Sequence, residues 1–402
     1  MKAFIALAAL ALAQTASLTT AQDAVSSSST ASVNLSLLKS EFLLWKATPA
    51  GQDAFKNGYL PPSSTSSTRK LADAGDAPTD DELKRFLDAK ATIERLRVKQ
   101  PKAQFSLETP FALLTADEFA EHVKKNHYQD FRSSMGDVIA AQGNTTFRNL
   151  EAVVESRRGL EASAAVVDID WQARGCVTAV QDKGKCGVST VFATIGALES
   201  GYCALKGSLT ALSVQDAVSC RTGTGVCEGA SNTEVYDWLT RLNNGALTTS
   251  ATYPYASATG VAPLCRRYQD DSFKPTTVQM GAKLYGGGTF GKHEDLEAVV
   301  RKQPVAVGVH ASNPLFQFYK SGVLLGDQEV CMAGYEDLSV LIVGFGTLDG
   351  VPYWKVKNQD GAAWGDNGYI NIERGYQGHE YGACGIESYG HYPIFIDDSN
   401  AA

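Results

Sequence analysis

The spacing of apolar residues divides the chain into a helical first part and a strand-rich last part. Leu35–Phe55 carries apolar residues at helical spacing, and Asp80–Val98 repeats the pattern with one apolar face. The second segment is acidic at its start and basic towards its end, which is the charge order that a helix dipole favours. Phe105–Phe119 predicts a short extended segment and then a helix capped by Thr115, with Glu118 at its third position.

A further helix is predicted after a glycine-rich turn. In Gln181–Ala193 this turn carries Cys186, and the apolar residues that follow it recur at helical spacing. Hydroxyl side chains are favoured N-caps because they accept hydrogen bonds from the first free N–H groups. We therefore expect a helix that begins at Ser189, with Ser189 or Thr190 as its N-cap.

The last part of the chain has the pattern of antiparallel β-structure. Short β-branched and aromatic runs such as Ser339–Gly346 and Val351–Asn358 are separated by Asp349-Gly350 and Asp366-Asn367-Gly368. Turn residues of this kind connect antiparallel strands. An all-β half therefore follows a helical half, and the predicted fold class is α+β.

Composition narrows the classes of partner. The 402 residues are 44% hydrophobic and 20% charged, which is enough for a packed core and for more than one folding unit. A net charge of -8 argues against nucleic-acid and anionic-membrane partners, because both require a basic face. Outside the cysteines, no His, Cys, Asp or Glu residues show metal-ligand spacing, so we expect neither a metal nor a cofactor.

The N-terminus indicates export. Met1-Lys2, the small apolar run Ala3–Ala13 and the polar residues up to Ala21 have the layout of a cleavable signal peptide. We expect a secreted protein, or one delivered to a lysosome or vacuole. The sequons at Asn34 and Asn144 are candidate N-glycosylation sites in such a chain.

The cysteines agree with export. Their even number suggests disulfides, although eight cysteines allow about 105 pairings and spacing alone does not choose among them. All eight lie in the C-terminal 230 residues of the chain: Cys176, Cys186, Cys203, Cys220, Cys227, Cys265, Cys331 and Cys384.

The Gln181–Ala193 stretch resembles the run that opens the central helix of papain-like cysteine proteases, where a nucleophilic thiol lies at the helix N-terminus. The resemblance extends over most of Val167–Pro393. It implies a papain-like two-lobed α+β fold for residues 166–395, with a helical lobe, a β lobe and a C-terminal tail at 396–402. It also implies a set of disulfides: Cys186–Cys227, Cys220–Cys265, Cys331–Cys384 and Cys176–Cys203.

The N-terminal helices resemble the inhibitory propeptide of the same family. Trp45, the long charged helix and Phe111–Phe119 fit that pattern, whereas Ala89 and Leu113 replace its polar signature. The resemblance implies a signal peptide at 1–21 and an atypical propeptide-like region at 22–165.

The positions that match the family's active site carry different chemistry. Ser189 stands at the nucleophilic cysteine, Leu338 at the histidine and Lys183 at the oxyanion glutamine, whereas Asn358 matches the orienting asparagine. A hydroxyl stays protonated without a nearby base, and an isobutyl group accepts no proton. We therefore predict no catalytic residue, and a proteolytically inactive relative that binds a peptide or protein in its cleft, protease inhibitors included.

Three alternatives remain open at this point. A desolvated Lys183 would activate Ser189 and give a Ser/Lys hydrolase, but pairing with Asp360 would keep the lysine charged. The N-terminus of the Ser189 helix, with Lys183 and Lys185 nearby, would hold an anion. A displaced histidine would supply the missing base, with His310 after the strand Val305–Val309 as the nearest candidate, before His293, His379 and His391.

Overall fold

The structure is a computed structural model that describes residues 35–61, 77–125, 168–221, 227–239, 246–270, 273, 277–279, 282–290 and 292–395. Several predicted features lie outside these residues, namely the signal peptide, Asn34, Asn144, the start of the papain-like domain near residue 166 and the tail at 396–402.

The propeptide-like region forms helices at the predicted places. The expected helix over Leu35–Phe55 is divided in two, because Pro49 cannot continue a preceding helix and is instead the first residue of a new one capped by Thr48. The Thr115 cap is confirmed, since Thr115 and Glu118 form a reciprocal capping box. The elements are α1 (35–46), α2 (Pro49–Asn57), α3 (Asp80–Lys99), β1 (Ala103–Phe105) and α4 (Ala116–Lys124).

The helical lobe is built around one long buried helix, which begins at Ser189 as predicted. The expected N-cap is wrong, because Val188 occupies that position and makes no side-chain capping bond. The Ser189 hydroxyl instead accepts a hydrogen bond from the backbone N–H of Ser339 (3.2 Å). The elements of this lobe are α5 (Ser189–Lys206), α6 (Val214–Cys220), α7 (Asn232–Asp237), β3 (Ala246–Thr248), α8 (Arg266–Gln269) and β4 (Thr277–Gln279).

The β lobe is antiparallel, as predicted. The elements are β2 (Ile169–Asp170), β5 (Ala282–Thr289), α9 (His293–Val300), β6 (Val305–Val309), α10 (Pro314–Phe318), β7 (Tyr319–Gly322), β8 (Leu338–Leu348), β9 (Val351–Lys357), β10 (Tyr369–Glu373) and β11 (Tyr389–Phe395). Among the described residues, seven strands form one sheet in the order β10-β9-β8-β6-β11-β5, with β2 beside β8. Asp349 and Gly350 adopt positive φ angles of 49° and 80° in the predicted turn between β8 and β9.

The propeptide-like helices and the β lobe share one hydrophobic core. Phe86 and Phe111 belong to the same buried cluster as Phe316 and Trp364. Strand β1 pairs with β7, which adds backbone hydrogen bonds to this contact. The α+β fold is confirmed, and the N-terminal region is packed as an integral part of it.

All four disulfides that the resemblance implies are present. They join Cys176 to Cys203, Cys186 to Cys227, Cys220 to Cys265 and Cys331 to Cys384, which leaves no free cysteine. The helices of the described ranges include none that is long and apolar enough to span a bilayer.

Candidate functional site

Ser189 and Leu338 meet where the two lobes touch. Ser189 is the first residue of α5 and is fully buried, and its Oγ accepts the N–H of Ser339. Leu338 directly precedes Ser339 and is the first residue of β8, where it pairs with Val309 of β6. The two predicted positions are therefore neighbours in space, but they bring together a hydroxyl and an isobutyl group, and neither is a base.

Asn358 keeps the position of an orienting amide and has a different partner. It follows β9, is buried, and its Nδ2 donates to Asp360 Oδ2 (2.8 Å). Its Oδ1 accepts no hydrogen bond from any residue that the structure describes. An unsatisfied buried acceptor costs about 1–3 kcal/mol. The Oδ1 atom of Asn358 is therefore an unsatisfied acceptor at the position where the family's asparagine would bond an imidazole N–H.

Lys183 forms a buried ion pair with Asp360, which is the simpler of the two arrangements considered from the sequence. The lysine is 1% exposed, its Nζ bonds Asp360 Oδ1, and its backbone N–H donates to Gln359 O (2.9 Å). Burial alone would raise the pKa of Asp360, but Lys183 and the neighbouring His122 outweigh it and hold that pKa well below its usual range. Asp360 is therefore an anion beside the ammonium, which disfavours the neutral lysine that a Ser/Lys pair needs.

His122 is the part of this site that the sequence reasoning missed. It lies on α4, with its Nε2 3.4 Å from Lys183 Nζ and 3.8 Å from Asp360 Oδ1. Its ring packs against Tyr59 and Phe111, at 5.0 and 5.1 Å between ring centroids. Burial lowers the pKa of His122, and Lys183 lowers it further. One signal was available, because His122 falls on the apolar face of α4.

Lys125, the residue that follows α4, lies against the turn before α5. The carbonyl of Lys125 lies against Gly187, so closely that a Cβ added to Gly187 would be 2.1 Å from the carbonyl oxygen. The N–H of Gly229 donates to the same carbonyl (3.5 Å). The end of the α4 segment therefore lies against the turn that precedes Ser189.

His310 is held in another role than that of a displaced base. Its Nδ1 accepts the N–H of Met332 (3.0 Å), and its ring faces Tyr335. Burial lowers its pKa. The other candidate histidines lie elsewhere: His293 beside Glu294, His379 beside Tyr381 and His391 between Tyr285 and Tyr389.

Neither a metal site nor an anion site gains support from the side chains. Within the described ranges, no three His, Cys, Asp or Glu residues are grouped as metal ligands would be. Lys185 reaches Gly58, since a Cβ added there would be 2.7 Å from the lysine Nζ, and Lys183 is paired with Asp360. The two lysines that would have assisted anion binding at α5 thus have other neighbours.

The relationship to known proteins agrees with this geometry. A family model described as papain family cysteine protease matches residues 166–394. The chain belongs to the papain family. It is 34% identical over 287 residues to cysteine proteinase EP-B 1 of Hordeum vulgare, which covers 68% of this chain and 73% of that protein. It is 38% identical over 238 residues to cathepsin S of Mus musculus, covering 56% and 62%.

A solved structure of a cysteine protease proform has the same fold. The proform of the ragweed pollen allergen Amb a 11, a cysteine protease, superposes with a TM-score of 0.62 at 24% identity. The superposition covers 80% of this chain and 89% of that one, which includes the propeptide-like helices in the likeness. This likeness concerns the fold alone.

Proposed function

We propose that this papain-family protein does not hydrolyse peptides and instead binds a peptide or protein ligand, protease inhibitors included, in the cleft between its lobes. The observation that carries the proposal is the meeting of Ser189 with Leu338. Thiol proteolysis needs a nucleophile that loses a proton and an imidazole that takes it up. A serine beside an isobutyl group offers neither.

The rate enhancements expected with and without a catalytic triad support the same proposal. Enzymes that lose members of a catalytic triad typically retain about 10³ to 10⁴ over the rate in water, from oxyanion donors and binding alone. Working enzymes reach about 10⁶ to 10¹⁷ over background. In this chain the side chain at the oxyanion position is also replaced, by Lys183, whose ammonium is bonded to Asp360. The residual hydrolase that would use Ser189 with Lys183 is therefore the weaker proposal.

The predicted route of export belongs to the same proposal. Four disulfides and no free cysteine suit an oxidising compartment. We infer delivery outside the cell, or to a lysosome or vacuole, where proteases and their peptide inhibitors are available as partners.

A peptide library tests the binding directly. The full-length protein is mixed with the library, bound peptides are identified by mass spectrometry, and their affinities are measured for three forms. These are the parent, Gly229→Trp and Val98→Trp. The N–H of Gly229 bonds the Lys125 carbonyl beside the cleft, whereas Val98 lies on the exposed face of α3 and serves as the matched control.

The proposal predicts intact bound peptides. Their affinity should fall about tenfold or more in Gly229→Trp, since a contact network worth 1.4 kcal/mol corresponds to a factor of about ten. Val98→Trp should bind as the parent does. A library from which nothing binds, or peptides cut by the parent and left whole by Ser189→Ala, would contradict it.

A further inference from the structure

One face of the β lobe carries a polar cavity that lies apart from the candidate site. The cavity rests on strands β9 and β10, where Tyr353 and Lys355 of β9 line it on either side of buried Trp354. Tyr369 and Asn371 of β10 line it as well, and Asn371 is paired with Lys355 across the two strands. Because successive side chains of a strand point to opposite faces, these four residues share one face of the sheet.

The cavity has the size and the access of a small-ligand site. Its volume of about 290 Å³ lies at the lower end of the range of ligand pockets, which is about 300–1,000 Å³. Its rim is formed by Asp366 and Asn367, from the turn before β10, and by Gln172, which follows β2. These three rim residues are exposed, so a ligand can reach the cavity from solvent.

The lining offers hydrogen-bond donors and acceptors together. The carboxylate of Asp366 accepts, the ammonium of Lys355 donates, and the amide of Gln172 does both. Burial and the nearby Asp168 raise the pKa of Tyr353, so its hydroxyl keeps its proton and can donate. A sugar hydroxyl also donates and accepts, so a mixed set of this kind is complementary to a row of sugar hydroxyls.

Asn371 has a fixed orientation in this set. Its backbone N–H donates to the hydroxyl of Tyr319 (3.1 Å), and its Nδ2 donates to Gly322 O (3.2 Å). The side-chain amide is thereby anchored through its NH₂ group, and Oδ1 is the atom that can accept a hydrogen bond from a ligand.

The charge of the cavity disfavours anionic ligands. Of the described residues that line it, only Lys355 is basic, and its Nζ is bonded to Asp170 Oδ2 (2.7 Å). Asp366 adds a negative charge at the rim, so no positive charge is left over for a phosphate or sulfate group. The mainly polar lining likewise disfavours a lipid or another apolar ligand.

A tyrosine ring supplies the apolar surface that a sugar ring also needs. Aromatic faces carry partial negative charge and attract groups with partial positive charge, such as the C–H groups of a pyranose. Lys355 Nζ lies 5.4 Å from the centroid of the Tyr369 ring and covers that face. The half-buried ring of Tyr353 is therefore the one that can pack against a sugar.

We propose that this cavity binds a neutral hexopyranose unit of an oligosaccharide, with Asp366 and Asn371 accepting hydrogen bonds from its hydroxyls and Tyr353 packing against its C–H groups. This sugar site is independent of peptide binding in the cleft, because none of its residues belongs to the candidate site.

Calorimetric titration of the full-length protein tests the sugar site. The panel consists of neutral oligosaccharides of glucose, galactose, mannose and N-acetylglucosamine, with heparin and chondroitin sulfate as anionic comparisons. At least one neutral oligosaccharide should bind at millimolar concentrations or below. Asp366→Asn and Tyr353→Ala should each weaken that binding about tenfold or more, through the lost charge-assisted hydrogen bond and the lost ring contact.

Two matched controls carry the same substitutions elsewhere. Asp88→Asn changes an exposed aspartate of α3, and Tyr335→Ala removes a tyrosine of the β lobe that is 65% exposed. Both variants should bind the sugar as the parent does. Hydrogen exchange then locates the ligand, since saturating sugar should raise amide protection in residues 366–369 and leave α4 and α5 unchanged.

The contrary results are equally specific. A panel in which no neutral sugar binds, or in which only heparin or chondroitin sulfate binds, would overturn the assignment. Protection that rises in α4 and α5 alone would place the sugar in the cleft and contradict it as well. If Tyr353→Ala fails to fold, Asp366→Asn decides, because this exposed residue keeps its size and parental affinity in that variant would exclude the site.

Discussion

Two charged side chains are buried beside the cleft, and they are compatible with burial only as a pair. Lys183 and Asp360 are bonded to each other, and the backbone N–H of Lys183 is tied to Gln359 O. Removing one partner of a buried pair leaves an uncompensated charge, whereas removing both leaves none. The charges of Lys183 and Asp360 thus neutralise each other inside the protein and contribute to its stability as a pair.

Asp360→Asn should be strongly destabilising, by about 3–5 kcal/mol, because it leaves Lys183 buried without its anion. The double variant Lys183→Met with Asp360→Leu is the matched control, and it should lose less than half as much. Denaturant unfolding of both variants beside the parent checks this. Equal losses in the single and double variants would show that the pair carries no buried charge.

At this scale the sequence identifies the positions but not all of the contacts. Ser189, Leu338 and the Lys183–Asp360 pairing could be predicted because the surrounding motifs fix their places along the chain. His122 could not, because its partners are 61 and 238 residues away and meet it only after α4 has docked. The prediction of Ser189 as an N-cap was wrong for a similar reason, since the backbone N–H of Ser339, 150 residues away, donates to that hydroxyl.

The helices of the propeptide-like region have termini that the sequence specifies locally. Thr79 with Glu82 and Thr115 with Glu118 form reciprocal capping boxes at the starts of α3 and α4. Arg85 of α3 also bonds Glu118, which ties the two helices together. These ends were predictable because a capping box depends on residues three apart. The break between α1 and α2 also depends on a local residue, Pro49. The spacing of apolar residues alone nevertheless predicted one continuous helix across it.

Thr115→Ala should weaken α4 by about 1 kcal/mol, since it removes the acceptor for the N–H of Glu118. The matched control is Thr92→Ala in the middle of α3, where alanine is the better helix former and no cap is lost. Amide exchange of the two helices provides the measurement. Unchanged protection of α4 in Thr115→Ala would contradict the capping role.

On the scale of the whole molecule, the N-terminal region and the β lobe are joined by side-chain bonds as well as by a common core. Gln317 Nε2 donates to the carbonyls of Phe111 and Leu114 (3.0 and 2.9 Å). Gln100 and Leu325 exchange two further hydrogen bonds. The α+β fold and the disulfides could be predicted from the resemblance, whereas these links depend on the docked geometry.

Gln317→Ala should loosen this junction by about 1–3 kcal/mol, because the carbonyls of Phe111 and of half-buried Leu114 each lose a hydrogen bond from Gln317. Gln377→Ala, at an exposed glutamine that bonds Gly375 O, is the control and should have little effect. Limited proteolysis of residues 77–125 in the folded protein reports the difference. Equal cleavage rates in the two variants would show that the Gln317 bonds do not hold the region in place.

Hydrolysis by the full-length protein decides whether the cleft retains chemistry. A library of peptide amides and a simple ester are offered to the parent and to Ser189→Ala at about pH 7.5 and about pH 5.5. Since Leu338 stands where the papain-like pattern has its proton-accepting histidine, the proposed function predicts that both proteins match the buffer blank. Turnover by the parent that disappears in Ser189→Ala would contradict this.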